Sequence, residues 1–318
     1  PAVQSAREAA RRTQCANNLK QMGLAFLQHE EAYEHYPTGG WGWGWVGDPD
    51  RGFNERQPGG WIYNSLPYLE QQALHDMGKD GSEYGDPITQ AKKDNQGERT
   101  KIPLSTFHCP SRRRAVAYPF GNPGQTKHGE ITNFTHHDNV ARSDYAANGG
   151  ERDTHPGNMQ IWPDNCWNGD CGPSPGAFPT KQEIEAKAQV ARDFGSNGIV
   201  HALSTVRVAD VRDGTSNTYM AGEKYLNPDF YTTGQDSGDN ENMYCGDNGD
   251  IARWTYAEPL QDQQGFSSAI RFGSAHPGAC QFVFCDGSVH TVTFSIDLVL
   301  HRRLGNRSDG EMVDLSDL

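Results

Sequence analysis

The chain has 318 residues, enough for one large domain or two ordinary ones, and a formal net charge of −13. This charge argues against a nucleic-acid backbone as partner, because phosphate binding needs clustered Lys and Arg. It is compatible with binding of divalent cations or with solubility outside the cytoplasm. With 36 Gly, 18 Pro and a mean hydropathy of −0.79, the composition predicts a compact sheet with long ordered loops rather than a helix-rich protein.

Residues 2–36 predict one amphipathic helix, since apolar side chains recur at steps of three and four and Pro37 ends the pattern. The apolar face of the first half is mostly alanine and is too weak to dock on a core. We therefore expect that half to project or to pack against another helix. The second half, with Leu19, Phe26 and Leu27, is expected to dock. No run of about 18 apolar residues is present, so nothing in the sequence predicts a membrane span.

The middle of the chain predicts irregular structure. A Gly/Trp segment covers residues 39–60, and residues 61–78 predict a short helix interrupted near Pro67. A polar loop is expected from there to about residue 100. Within a loop-rich elaboration over about 40–200, two patches predict short strands, 143–150 and 198–203.

The last third carries the clearest pattern. Residues 218–225 predict a strand after the turn at Asp213-Gly214, and residues 229–250 form an acidic loop. The segment 279–296 predicts two strands, near 281–285 and 288–294, joined by Asp286-Gly287, a strong hairpin signal. The predicted fold class is α+β: a long N-terminal helix (residues 1–38) packed on a small antiparallel sheet within a single globular domain (39–318).

This arrangement resembles type IV pilins and the major pseudopilins of type II secretion. Several strings resemble motifs of a large pseudopilin-like group, the domain of unknown function 1559 family: the N-terminal PAVQSAREAARRTQCANNLKQMGLAFLQHE, then FHCPSRR, SDYAANGG, DGTSNT with Glu223, and CGDNGDIARW. The terminal signature of that family, His, nine residues and Asp-Gly, fits His276 and Asp286-Gly287.

The resemblance implies a prepilin, processed upstream and assembled or anchored through a hydrophobic half-helix that we expect to precede residue 1. It implies a pilin-like fold and a location outside the cytoplasmic membrane, on the periplasmic side, the cell surface or beyond. The expected partner is a second copy bound through the N-terminal helix, and a membrane is contacted only through the upstream segment. The expected function is a non-enzymatic structural subunit of a filament or pseudopilus.

The acidic loop predicts a calcium site, because hard oxygen ligands alternate with Gly, Asn and Ser. Pseudopilins often hold a loop near the C-terminal sheet with calcium, which favours the same interpretation. A solvated, turn-rich loop is the alternative. The candidate ligands are Asp236, Asp239, Glu241, Asp247 and Asp250.

Four tryptophans, Trp41, Trp43, Trp45 and Trp61, are candidates for ligand binding, since exposed indole rings stack on sugars or enter partner grooves. Packing under long loops is the alternative. An extracytoplasmic solute- or glycan-binding protein is therefore the second functional hypothesis.

Nothing in the sequence predicts an enzyme, because no nucleophile frame or phosphate loop is present. A metal-dependent hydrolase is the third hypothesis, but the His-rich loop around 128–138 favours a wet surface. Structural roles are expected for His276, before its strand, and for Asp286, which would close the turn through its side chain. A buried Glu223 paired with Arg253 or Arg271 is also expected to be structural.

Seven cysteines are present and none forms a CxxC pair. Cys166 and Cys171 bracket a short loop and are expected to form a disulfide in an oxidising compartment. The odd total leaves at least one thiol free. Cys15, alone on the predicted helix, is the candidate.

Overall fold

The computed structural model describes residues 2–83, 86–121, 133–152 and 180–318. Its first element is the long helix α1, Ala2–Tyr33, followed by Glu34 with a left-handed φ of 62°. The helix therefore ends three residues before the predicted position 36. A left-handed residue commonly closes a helix, and Pro37 cannot extend one.

The central sheet has five strands in the order β5–β3–β4–β8–β9. Neighbours are antiparallel except β3 and β5, which run parallel, so the predicted antiparallel sheet is confirmed apart from one edge strand. The strands are β3 Tyr145–Asn148, β4 Tyr219–Glu223, β5 Ala252–Arg253, β8 Ala279–Phe284 and β9 Val289–Thr293.

The predicted hairpin at the end of the chain is confirmed. Strands β8 and β9 pair from Ala279↔Thr293 to Val283↔Val289, and Gly287 supplies the left-handed φ of 80° that the turn requires. Asp286 Oδ1 accepts hydrogen bonds from the backbone N–H (2.8 Å) and hydroxyl (2.6 Å) of Ser288. The turn is therefore closed by the aspartate side chain.

Helix α1 lies directly on this sheet. A Cβ added at Gly23 would stand 2.5 Å from Val283 Cγ2, so only glycine permits the observed approach of helix and strand. Leu19 and Phe26 are fully buried, and Lys20 Nζ donates to the carbonyl of Gly287 at 2.6 Å. Docking of the second half of the helix is confirmed.

The elaboration contains more helix than the sequence predicts. The interrupted helix is found as α2 Trp61–Ser65, a 3-10 turn Leu66–Leu69 and α3 Gln72–His75. The expected polar loop to residue 100 is wrong, because α4 spans Gln90–Thr100. Its buried face consists of polar side chains, which hydrophobic periodicity cannot reveal.

A second helix, α5 Lys181–Asp193, was also missed, although Thr180 and Glu183 form a capping box at its start. The predicted strand at 198–203 is not formed. Both Ile199 and Val200 donate backbone hydrogen bonds to the carbonyl of Asn148, and the segment is buried without pairing as a strand. A short apolar run indicates burial but does not identify the element.

The remaining described elements surround this core. Two small ladders pair β1 with β2 and β6 with β7, and α6, Leu298–Gly305, begins at Asp297, whose carboxylate caps it. No described helix is both long and apolar enough to cross a membrane. The small strands are β1 Tyr118–Pro119, β2 Asn139–Val140, β6 Leu260–Gln261 and β7 Gly273–Ser274.

Candidate functional site

Four buried side chains with metal-binding chemistry meet where α1 crosses the sheet. Cys15 lies on α1, Cys109 follows the 3-10 turn Ser105–Phe107, Glu223 ends β4, and His276 lies between β7 and β8. Their ligand atoms all lie within 4.8 Å of one another. Among the described residues no other set of three or more His, Cys, Asp or Glu does so. We call these four residues the thiol–imidazole cluster.

The imidazole is the centre of this cluster. His276 Nε2 lies 3.3 Å from Cys15 Sγ, 3.6 Å from Cys109 Sγ and 3.4 Å from Glu223 Oε1. The two sulfurs are 3.3 Å apart. The four atoms therefore form a small tetrahedron-like group rather than a row.

Local structure fixes each member. Cys15 falls on the buried face of α1, four residues before Leu19. The Cys109 N–H donates to Asp144 Oδ2 at 2.7 Å. Glu223 Oε2 accepts from the N–H of Gln281 on the neighbouring strand β8 at 2.9 Å. Glu223 Oε1 is buried, accepts no hydrogen bond and faces the cluster.

A second carboxylate orients the imidazole from behind. Glu8 Oε1 hydrogen-bonds His276 Nδ1, and Glu8 is held in turn by Arg11 at 2.6 Å and by the Ser111 hydroxyl at 3.0 Å. Although partial burial raises the pKa of Glu8, hydrogen bonds to His276, Arg11 and Ser111 lower it overall. Glu8 is therefore a carboxylate that keeps Nε2 turned toward the thiols.

The electrostatics of the cluster without a cation favour protonated groups. Burial lowers the pKa of His276, but its contacts with Cys109 and Glu223 and the charge of Glu223 raise it to about 10. The hydrogen bond with Cys15 and burial raise the pKa of the Cys109 thiol. A cation of charge two would replace these protons.

Sequence patterns single out Cys15, Glu223 and His276 one by one, but they do not predict that these residues converge with Cys109. Cys15 is not an isolated thiol, and Glu223 contacts His276 and Gln281 rather than Arg253 or Arg271. His276 contacts α1 as well as its own loop. Each of the four lies in, or directly after, a string that carries the family resemblance, which was the available signal.

The five acidic candidates for calcium binding are buried but do not gather into one group. Asp239 bonds Arg113 and Lys224, the latter at 3.0 Å, while Asp236 and Asp247 accept backbone N–H groups. Asp250 Oδ1 accepts from the Glu241 N–H at 2.8 Å. Cationic side chains and backbone donors thus satisfy most of this loop.

The tryptophan candidates lie mostly inside the protein. Trp41, Trp45 and Trp61 are buried and Trp43 is half-buried. The Trp41 and Trp45 rings lie 5.1 Å apart and pack with Ile184 of α5 in a separate apolar cluster. This arrangement matches the alternative interpretation, in which the tryptophans pack beneath the long loops instead of binding a ligand.

The remaining predicted positions have structural contacts where they are described. Asp213 accepts from the N–H groups of Asp309 and Gly310 at 2.7 and 2.8 Å, and Gly214 has a φ of 98°. The Asp286 N–H donates to the carbonyl of Thr215, which joins the two turns. Cys166 and Cys171, the predicted disulfide, lie outside the described residues, as do His128 and His155.

Comparison with known proteins gives one match. No curated protein and no solved structure matches the chain. A family model described as a protein of unknown function (DUF1559) matches residues 4–299. Since that match covers most of the sequence, the chain belongs to the DUF1559 family.

Proposed function

We propose that this protein is a non-enzymatic, pilin-like structural subunit that is displayed outside the cytoplasmic membrane and associates with its own copies through α1. The observation that carries the proposal is the division of that helix. No residue between 2 and 14 is buried, whereas eight residues from Cys15 to His29 are. The first half is therefore available to a partner.

Residues 2–14 of α1 would be only marginally stable in water as an isolated helix. Helices shorter than about 12–15 residues are marginal even when rich in alanine, and they gain stability mainly by packing. The first half of α1 exposes Val3 together with four alanines. Small side chains permit close helix–helix contact, which supports a second copy of the same helix as the occupant.

The family resemblance supports the same assembly. In pilin-like subunits the N-terminal helix docks by one half on an antiparallel sheet and packs by the other half in the filament core. Here α1 docks on β8 from about Cys15 onward. Polar contacts of Glu8 and Arg11 extend that attachment by two further turns toward the N-terminus of the helix. The remaining two turns carry the proposed association surface.

Site-specific photo-crosslinking in cells that produce the full-length protein tests the proposal. A crosslinking residue at Val3 or Ala6 should give homo-oligomer ladders in the surface fraction. The same residue at Val299, exposed on α6, is the matched control and should give none. Equal crosslinking at the three positions, or a protein confined to the cytosol, would contradict the proposal.

A cleft near the end of α1 favours solute binding as a second candidate function. Its volume is about 640 Å³, within the usual range for ligand pockets of about 300–1,000 Å³. Three arginines and two acids supply its charged lining, so its net charge is positive and a small anion or acidic glycan would fit. They are Arg192, Arg207 and Arg307, with Glu34 and Asp210.

Calorimetry with a panel of acidic oligosaccharides and small anions tests this second function. Arg192→Ala should weaken binding about tenfold, equal to about 1.4 kcal/mol, because it removes an exposed cation from the wall. Lys181→Ala, on the same helix but outside the cleft, is the control. Absence of binding across the panel would reject the function.

A further inference from the structure

We propose that the thiol–imidazole cluster is a structural zinc site in which Cys15, Cys109, Glu223 and His276 bind one Zn²⁺. The ligands would be two thiolates, one carboxylate oxygen and the imidazole Nε2. This inference goes beyond the proposed function, since it requires neither assembly nor export.

Four of the six separations between the ligand atoms fit a tetrahedral ion, and the two between Glu223 Oε1 and the sulfurs are at most 4.8 Å. With Zn–S bonds of about 2.3 Å and Zn–N or Zn–O bonds of about 2.0–2.1 Å, tetrahedral ligands stand roughly 3.3–3.8 Å apart. The contacts of His276 Nε2 measure 3.3, 3.6 and 3.4 Å, and the sulfurs are 3.3 Å apart. Zinc would therefore enter after a small outward movement of the sulfurs.

The ligand types select the metal. Two thiolates and an imidazole suit zinc, whereas calcium and magnesium require oxygen ligands throughout. The orphan oxygen points to the same conclusion. Glu223 Oε1 is buried and accepts no hydrogen bond, a costly arrangement that a bound cation would remove.

The outer contacts have the form that metal-bound histidines usually show. A histidine that binds metal through one ring nitrogen commonly donates the other N–H to a carboxylate, which fixes the tautomer and the ring orientation. Glu8 makes this contact with His276 Nδ1 and is itself anchored by Arg11 and Ser111. Glu8 is thus a positioning residue rather than a ligand.

The site is closed, which makes it structural. Each of the four residues is at most 1% exposed, so no coordination position faces solvent or a substrate. The ion would join α1 to the segment after Phe107, to β4 and to the loop before β8. Zinc at this place would therefore not support the hydrolase hypothesis.

Two other states of the thiol–imidazole cluster compete with the zinc-bound one. The Cys15 and Cys109 sulfurs are close enough for oxidation to a disulfide, which would lose two protons and two electrons to an external oxidant. Alternatively, the imidazolium could remain paired with Glu8 and Glu223 as a buried ion triad. Neither state binds a divalent ion.

The test uses purified full-length protein, isolated without reductant and analysed for metal, thiols and intact mass. We expect about one zinc per chain and no disulfide between Cys15 and Cys109. Cobalt added after zinc removal should give thiolate-to-cobalt charge-transfer bands and the intense visible bands of tetrahedral coordination. A native Cys15–Cys109 disulfide overturns the proposal, and so does reduced protein that binds neither zinc nor cobalt.

Variants distinguish ligands from other buried groups. Cys109→Ala should lose stoichiometric zinc and the charge-transfer bands. Glu223→Gln retains the hydrogen bond to Gln281 and should fold even if Cys109→Ala does not. It should weaken cobalt binding at least tenfold. Cys285→Ala, which removes another buried thiol from the same core, is the matched control and should bind one zinc.

Discussion

Two buried polar clusters lie on opposite faces of β4 and its extension, and they differ in how charge is compensated. Glu223 enters the thiol–imidazole cluster, while the next residue, Lys224, enters a network with Arg113, Asp144 and Asp239. We call the latter the Asp239 network. Its two cations and two anions balance one another, and Asp239 keeps a lowered pKa because Arg113 and Lys224 outweigh the effect of burial.

The difference separates two uses of buried polar groups. The Asp239 network balances its charge through its own ion pairs, as a structural network should. The thiol–imidazole cluster combines two thiols, an imidazole and a carboxylate oxygen without a hydrogen bond, so a metal ion would complete it.

Removing the central anion should damage the Asp239 network irrespective of metal. Asp239→Ala leaves Arg113 and Lys224 buried without their shared carboxylate, and we expect a loss of about 3–5 kcal/mol in the free energy of unfolding. Urea unfolding with and without chelator measures it. Glu258→Ala, which breaks an exposed pair with Arg271, should cost less than about 1 kcal/mol. Equal losses would mean that burial does not distinguish the two pairs.

Removing zinc should destabilise the folded state through the other cluster. At free zinc concentrations of 100 to 1,000 times the dissociation constant, binding adds about 3–4 kcal/mol of stability. Thermal unfolding should therefore shift down when a chelator is added to the wild type. Cys109→Ala should show no such shift. A chelator effect of the same size in Cys109→Ala would place the ion elsewhere.

Altering the outer carboxylate should weaken metal binding without abolishing it. Glu8→Gln retains a hydrogen-bonding side chain but removes the charge that orients His276, and zinc affinity should fall about 10–100-fold. Competition with a chromophoric chelator measures the affinity. Glu31→Gln, exposed on the same helix, is the control. An unchanged affinity in Glu8→Gln would reduce Glu8 to an ordinary surface contact.

A buried histidine in an apolar setting provides a reference for both clusters. His301 packs against Tyr219 and Phe282, and burial lowers its pKa to about 3. As pH falls from about 6.5 toward 3, the unfolded chain binds a proton that the native state refuses. Stability should therefore fall by up to about 1.4 kcal/mol per pH unit.

His301→Phe should remove that share of the slope, whereas Val299→Ala, at an exposed position of the same helix that carries no titratable group, should leave the slope unchanged. Urea midpoints measured between pH 4 and 7 provide the readout. A slope that is identical in the wild type and His301→Phe would contradict the assignment. Neither variant should alter zinc stoichiometry.

Local sequence patterns predicted the outer framework of the fold. The hairpin followed from Asp286-Gly287, and helix α1 from periodicity ending at Pro37. The strands β3 and β4 lay within predicted segments. The failures were α4, whose buried face is polar, α5, which the capping box at Thr180 marks, and the apolar run 198–203, which is buried without forming a strand.

The candidate site could not be predicted as a unit, for a physical reason. Its ligands stand at positions 15, 109, 223 and 276, and only the packing of α1 on the sheet brings them together. The acidic loop shows the converse. Alternating carboxylates suggested calcium, but the sequence does not reveal that Arg113, some 120 residues upstream of Asp239, reaches it. Long-range contacts, which the sequence does not show, set the partners of both groups.

The side-by-side placement of Glu223 and Lys224 also bears on the register of the sheet. A slip of this segment by one residue exchanges the two faces of a strand. A slip in one direction would put the ammonium of Lys224 in the place of Glu223, beside the His276 imidazole. A slip in the other direction would put the carboxylate of Glu223 in the place of Lys224, beside Asp239. Either slip brings groups of like charge together. The alignment of β4 between β3 and β8 is therefore specified by electrostatic repulsion in the misaligned state as well as by apolar packing in the native one.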